Sequence, residues 1–269
     1  MNDFDLDVRT NALGELVSLM QQGSIPLEPE ADAANMHCHT FFSFNAYGHS
    51  PTSLAWLAKR HGFKAAGIVD FDVLDGVDEF LAACDLVGMR GSAGIETRVF
   101  LPEFETREIN SPGEPGVLYH MGIGFISSQV PERARGILAD LRQRALLRNQ
   151  VGIDRINRFL DPVVIDYQQD VLPLSPGGAA TERHIVVAYL EAAERTSVDL
   201  VDFWADKLGV TREQVASAIK DSAKFQTLIR AKLMKGGGVG YIQPSPDLFP
   251  SVEALHELTV ACEALPCAA

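Results

Sequence analysis

Asn35-Met36-His37-Cys38-His39 is the stretch that decides how this 269-residue chain is read. In a strand, alternate side chains point to one face, so His37 and His39 stand about 7 Å apart at Cα and can reach one ion. Seven histidines in the chain also allow two of them to be plain strand neighbours, so the surroundings must choose. Cys38, one step out of phase, points away from both and belongs to the core.

Downstream, Ser50-Pro51 opens a helix with Leu54, Leu57 and Ala58 on one face, and Gly62 closes it. Ala65-Ala66-Gly67-Ile68-Val69-Asp70 is a short apolar run ending in a carboxylate. A second helix starts near Asp75-Gly76-Val77, and Ala93 to Val99 forms a third strand holding Glu96. This alternation predicts a parallel α/β sheet. In parallel barrels the chemistry gathers at the C-terminal strand ends, where His37, His39, Asp70, Glu96 and His120 are expected.

Those residues carry a family resemblance. The run His37-x-His39-Thr40-x-x-Ser43, then Ile68-Val69-Asp70-Phe71-Asp72, Gly94-Ile95-Glu96 and Tyr119-His120-Met121-Gly122, resembles the PHP (polymerase and histidinol phosphatase) superfamily, and within it the metal-dependent phosphoesterase branch. Glu182-Arg183-His184-Ile185-Val186 is similar to the segment that gives that branch a further ligand. The resemblance implies a distorted (β/α)7-type barrel and two divalent transition-metal ions (Zn, Mn or Fe) held by His37, His39, Glu96, His120 and His184. It also implies that Glu96 bridges the ions, and imidazole with carboxylate suits such metals better than Mg or Ca. Two such ions activate a water and hold a phosphoryl oxygen. Asp70 would orient a ligand histidine or carry a proton, which makes Glu96 and Asp70 the catalytic candidates. Phe71 stands where the family has a histidine, and Phe44-Asn45 where it has an acid or histidine, so no third ion is expected. The family's closing Asp-x-His has no counterpart after His184, and the apolar end Leu265-Pro266-Cys267-Ala268-Ala269 reads as a strand, so the barrel is expected to be incomplete.

Residues 1–34 are read as a helix, about Thr10 to Gln21, and a linker; 35–130 as the first part of the barrel; 131–235 as a helical insertion or cap; and 236–269 as the barrel's continuation, with a strand over 238–242. Within the insertion, Arg133 to Arg158 is rich in arginine on a helical period. That is either a solvated basic face or a cap offering guanidiniums to a phosphate, with Arg148 and Arg155 as candidates.

A net charge of -13 argues against a general nucleic-acid binder. Four cysteines without paired spacing point to a reducing compartment. With neither a signal-like start nor an apolar run of spanning length, a cytoplasmic location and no membrane association are expected; the oligomeric state is not legible. The function expected is hydrolysis of a small phosphate mono- or diester, nucleotide-derived compounds included. A metal-dependent amidohydrolase and a non-catalytic PHP module that binds metal or a partner remain open beside it.

Overall fold

A computed structural model of the chain describes residues 1–43, 47–196 and 199–269. Phe44 and Asn45, which enter the reading above, lie outside the described residues. The described chain begins with α1 (Leu6–Gln21), one turn earlier than periodicity predicts, because the Asp5 carboxylate caps the backbone N–H of Asp7 at 2.8 Å. Then follow β1 (Ala34–Cys38), α2 (Pro51–Arg60), β2 (Ala65–Phe71), α3 (Val77–Val87) and β3 (Arg90–Phe100). Ser50 caps α2 through the Ser53 N–H, and Gly88, at φ +66°, ends α3 in the left-handed conformation.

These strands form a five-stranded sheet in the order β1-β2-β3-β4-β5 with β4 (Val117–Ile123) and β5 (Leu265–Ala268). β1, β2 and β3 are parallel, joined by helical crossovers as expected. β4 runs antiparallel to β3, and β5 antiparallel to β4. The link from β3 to β4 holds only one 3-10 turn, Pro102–Phe104, and without a crossover helix the chain can return only antiparallel. The sheet is therefore mixed and open, not a closed parallel barrel, with β1 and β5 at its edges. The strand predicted over 238–242 does not form. After Gly236-Gly237-Gly238 the chain folds back on the preceding helix, and the Gly240 N–H donates to the Leu233 carbonyl at 2.7 Å.

Between β4 and β5 the chain is helical: α4 (Glu132–Leu160), a π-helical turn at Tyr167–Val171, α5 (Glu182–Arg195), α6 (Leu200–Leu208), α7 (Arg212–Ala218), α8 (Ser222–Leu233) and α9 (Val252–Ala261). One apolar core lies between the sheet and α1, α2, α3 and α9, built on Ile68, Phe80, Ile95 and Leu258. A second, around Tyr189, Trp204 and Ile229, lies within the helical segment. α4 contributes Ala134 and Leu141 to the first core and Ile153, Ile156 and Leu160 to the second. Among the described residues no helix is long and apolar enough to cross a membrane. All four cysteines are free thiols, and Cys38 packs against the first core as its phase predicts.

Candidate metal centre and the adjoining cavity

The register of the sheet decides which side chains meet. Phe71 on β2 is aligned with Glu96 on β3, and Glu96 with Met121 on β4, so these three share one face. Across the β1 edge His37 and His39 join them: Nε2 of each imidazole lies 3.1 Å from Glu96 Oε2. Ligand-capable atoms of the three residues all fall within 4.8 Å of one another. The Glu96 side chain is 5% exposed and that of His37 47%, so the group has a buried anchor and an open side. Bonds of about 2.1 Å in a tetrahedral shell would hold donors roughly 3.4 Å apart. The two imidazole–carboxylate separations of 3.1 Å are close to this value, so these residues fit a divalent transition-metal ion.

The other candidates lie elsewhere. His120 is one residue out of phase with Met121 and is paired with Thr97, so it projects from the opposite face. On that face α9 packs so closely that a Cβ on Gly122 would come within 2.7 Å of Thr259 Oγ1. The ring meets the backbone of Cys267 and has His256 nearby; burial first, then His256, lowers its basicity. His184 is the third residue of α5, where its Nδ1 accepts from the Thr181 N–H at 3.0 Å in a capping box, and it also meets the backbone of Phe41. Burial lowers its pKa to about 4. The structure therefore brings together His37, His39 and Glu96, and leaves His120 and His184 apart from them.

Asp70 is fully buried beside the group and accepts three hydrogen bonds, from the Thr40 N–H and Thr40 Oγ1, each at 2.7 Å, and from Ser43 Oγ at 2.5 Å. Burial pushes its pKa up against the pull of those donors. The Phe71 ring stacks on His39, centroids 4.5 Å apart and planes 12° from parallel. After it the chain turns sharply at Asp72, which takes φ +60°, a conformation Asp tolerates better than most residues. Thr97 Oγ1 donates to the Asp72 carboxylate, as does Arg148 at 3.1 Å.

Phe71 and Ser43 also wall a cavity of about 520 Å³ that runs beneath the helical segment. Arg98, Arg142, Arg148, Arg183 and Arg230 line it against only two acids, Asp72 and Glu182, in a chain whose net charge is -13. Most of these cations are engaged. Arg98 pairs with Glu114 at 2.9 Å and reaches Glu182 at 3.6 Å; Arg230 pairs with Glu182 at 2.6 Å, and Arg142 pairs with Asp75. Burial alone would raise the Glu182 pKa, but Lys235, Arg98 and Arg230 together hold it well below the usual carboxylate range. Arg148 also donates to the Leu248 carbonyl at 2.6 Å and lies over the Phe249 ring. Arg155 donates to the Tyr241 carbonyl and does not line the cavity. Arg183 donates to Thr227 Oγ1 at 3.2 Å and, among the described residues, forms no ion pair with a carboxylate. Sequence reasoning did not single out Arg98, Arg183 or Arg230. Arg98 was accessible to it, since it follows Glu96 by two on the same strand and shares its face.

The fold has counterparts among solved structures. A protein from Bifidobacterium adolescentis described as a metal-dependent phosphoesterase superposes with a TM-score of 0.58 at 20% identity, over 90% of this chain and 68% of its own. The two share a fold. An amidohydrolase from Chromobacterium violaceum, solved with bound sulfate and no metal, gives a TM-score of 0.55 at 16% identity over 87% of this chain and 66% of its own. The chain thus spans about two thirds of the length of each. No family model matches the sequence, and no curated protein does.

Proposed function

We propose that this chain is a metal-dependent hydrolase acting on a small phosphoester, with His37, His39 and Glu96 as the protein ligands of its ion. One observation carries this reading: three convergent donors, His39 among them stacked on Phe71, lie behind the wall of a cavity whose arginines outnumber its acids, the reverse of the chain's overall charge. A bound divalent ion would supply Lewis acidity toward a water and a phosphoryl oxygen. The chain's own part is to position and neutralise. Glu96 and the two imidazoles hold the open side of the centre outward. Arg183 has donors to spare for a phosphate oxygen, a task suited to its planar fork. Phe71 shields one face of His39 from solvent. Arg98, Arg148 and Arg230, already paired with acids, set the positive field of the cavity.

An amidohydrolase reading is favoured by the Chromobacterium likeness, and the same centre would suit attack on a carbonyl. The zinc- or manganese-loaded chain should therefore be assayed against a panel of phosphate mono- and diesters beside a panel of amides. Phosphoester turnover is expected. In Arg183→Ala, KM for the phosphoester should rise about tenfold with kcat and metal content unchanged, the signature of lost ground-state binding. Amide turnover without phosphoester turnover would overturn the proposal.

A further inference from the structure

His39 is held at both ring nitrogens, and the two contacts ask opposite things of it. Nε2 faces Glu96 Oε2 at 3.1 Å, and Nδ1 faces Ser43 Oγ at 3.3 Å. A serine hydroxyl has one proton to give. That proton is committed to Asp70 Oδ1 at 2.5 Å. The Thr40 hydroxyl is committed likewise: it accepts from the Phe42 N–H at 3.1 Å and donates to Asp70 Oδ2. Turning the Ser43 hydroxyl toward His39 would take a donor from a carboxylate with 1% exposure, which is costly. Ser43 Oγ therefore meets His39 only as an acceptor, and Nδ1 must bear the hydrogen.

We propose that Ser43, oriented by Asp70, is a positioning residue that locks His39 with its proton on Nδ1 and so keeps the Nε2 lone pair for a cation. The inference rests on the metal-centre reading above but does not depend on the substrate. The Phe71 ring, stacked on the imidazole, fixes its plane, so the hydroxyl has only to choose between the two nitrogens. Without Ser43, Glu96 is the strongest remaining acceptor and would draw the proton to Nε2, the atom needed for coordination.

The test is long-range 1H–15N NMR of the full chain labelled at histidine, metal-free and zinc-loaded, with zinc affinity measured in parallel. In the parent protein Nδ1 of His39 should carry a proton in both states. In Ser43→Ala a population protonated only at Nε2 should appear in the metal-free protein, with zinc affinity reduced about tenfold. Ser43→Thr, which keeps the hydroxyl, should restore both. A parent His39 with a bare Nδ1 in the metal-free protein would overturn the proposal, and that measurement needs no variant to fold. So would Ser43→Ala with an unchanged tautomer and unchanged affinity. If the proton sits on Nδ1 but the chain turns over no phosphoester, the functional proposal fails and this one stands.

Discussion

The metal centre and the cavity beside it share a wall, Phe71 and Ser43, yet they are built on opposite principles. The centre draws its donors from one edge of the sheet, with His37 on β1, His39 just past its end and Glu96 on β3 facing both. The cavity is held by ion pairs between residues far apart in sequence: Arg98 with Glu182, Arg148 with Asp72, and Arg230 and Lys235 with Glu182. Damage to the first should therefore cost ligand binding and little stability, and damage to the second should cost stability and leave the ion in place.

The strongest test of that contrast is His37→Ala combined with His39→Ala. Two of three donors vanish, so metal affinity should fall by more than about 100-fold and bound zinc should drop to background by elemental analysis. The melting temperature should barely move. Equal metal content in parent and variant would erase the distinction.

Next in size is an acid-sensitive brace at the start of α5. His184 has a pKa of about 4 in the fold, against about 6.5 when unfolded. Between these values only the unfolded chain is protonated there, so stability falls as pH drops from about 6.5 to about 4. His184→Gln keeps a capping side chain and removes the titration. Urea unfolding at pH 7 and pH 4.5 should show the parent losing roughly 2–3 kcal/mol more than the variant. Equal losses in both would show that His184 is no such brace.

Glu182→Gln strips the central acid from Arg98, Arg230 and Lys235. Breaking a buried pair costs roughly 3–5 kcal/mol. With its side chain 21% exposed, Glu182 should cost less, about 2 kcal/mol, once solvent screening is allowed for. Its depressed pKa means this contribution is present above about pH 4.5 and is lost as pH falls through the lower folded value. Chemical denaturation at pH 7 measures the effect, and zinc content should be unchanged. The smallest effect is expected at the shared wall: Phe71→Leu removes the ring stacked on His39 and should weaken zinc binding by about threefold, read by competition with a chelator. A loss as large as that of the double histidine variant would show that the ring does far more than fix a plane.

The sequence made the sheet side legible where the physics is local. An HxH pair needs only the period of a strand, and the crossovers up to β3 follow from helix signals between apolar runs. The face His120 takes was not legible, because its phase depends on β4 returning antiparallel, and that follows from a link without a helix. His184 was legible as a candidate ligand; that its Nδ1 also caps the Thr181 N–H is revealed only by the position of the helix start. Arg148 was visible as a cation on a helical period; its partner Asp72 lies 76 residues away, and no local rule connects them. An incomplete barrel was expected from the strand runs; the antiparallel return of β4 and β5, which makes the sheet mixed, was not readable from them.

α4 is 29 residues long, roughly 44 Å of unbroken helix at 1.5 Å per residue, and its two halves are embedded in different cores. A rod shared in this way cannot lose one half without loosening the other. Melting of the helical layer should thus propagate into the sheet as a single cooperative transition, and hydrogen exchange along α4 should report one opening free energy from Ala134 to Leu160 instead of two.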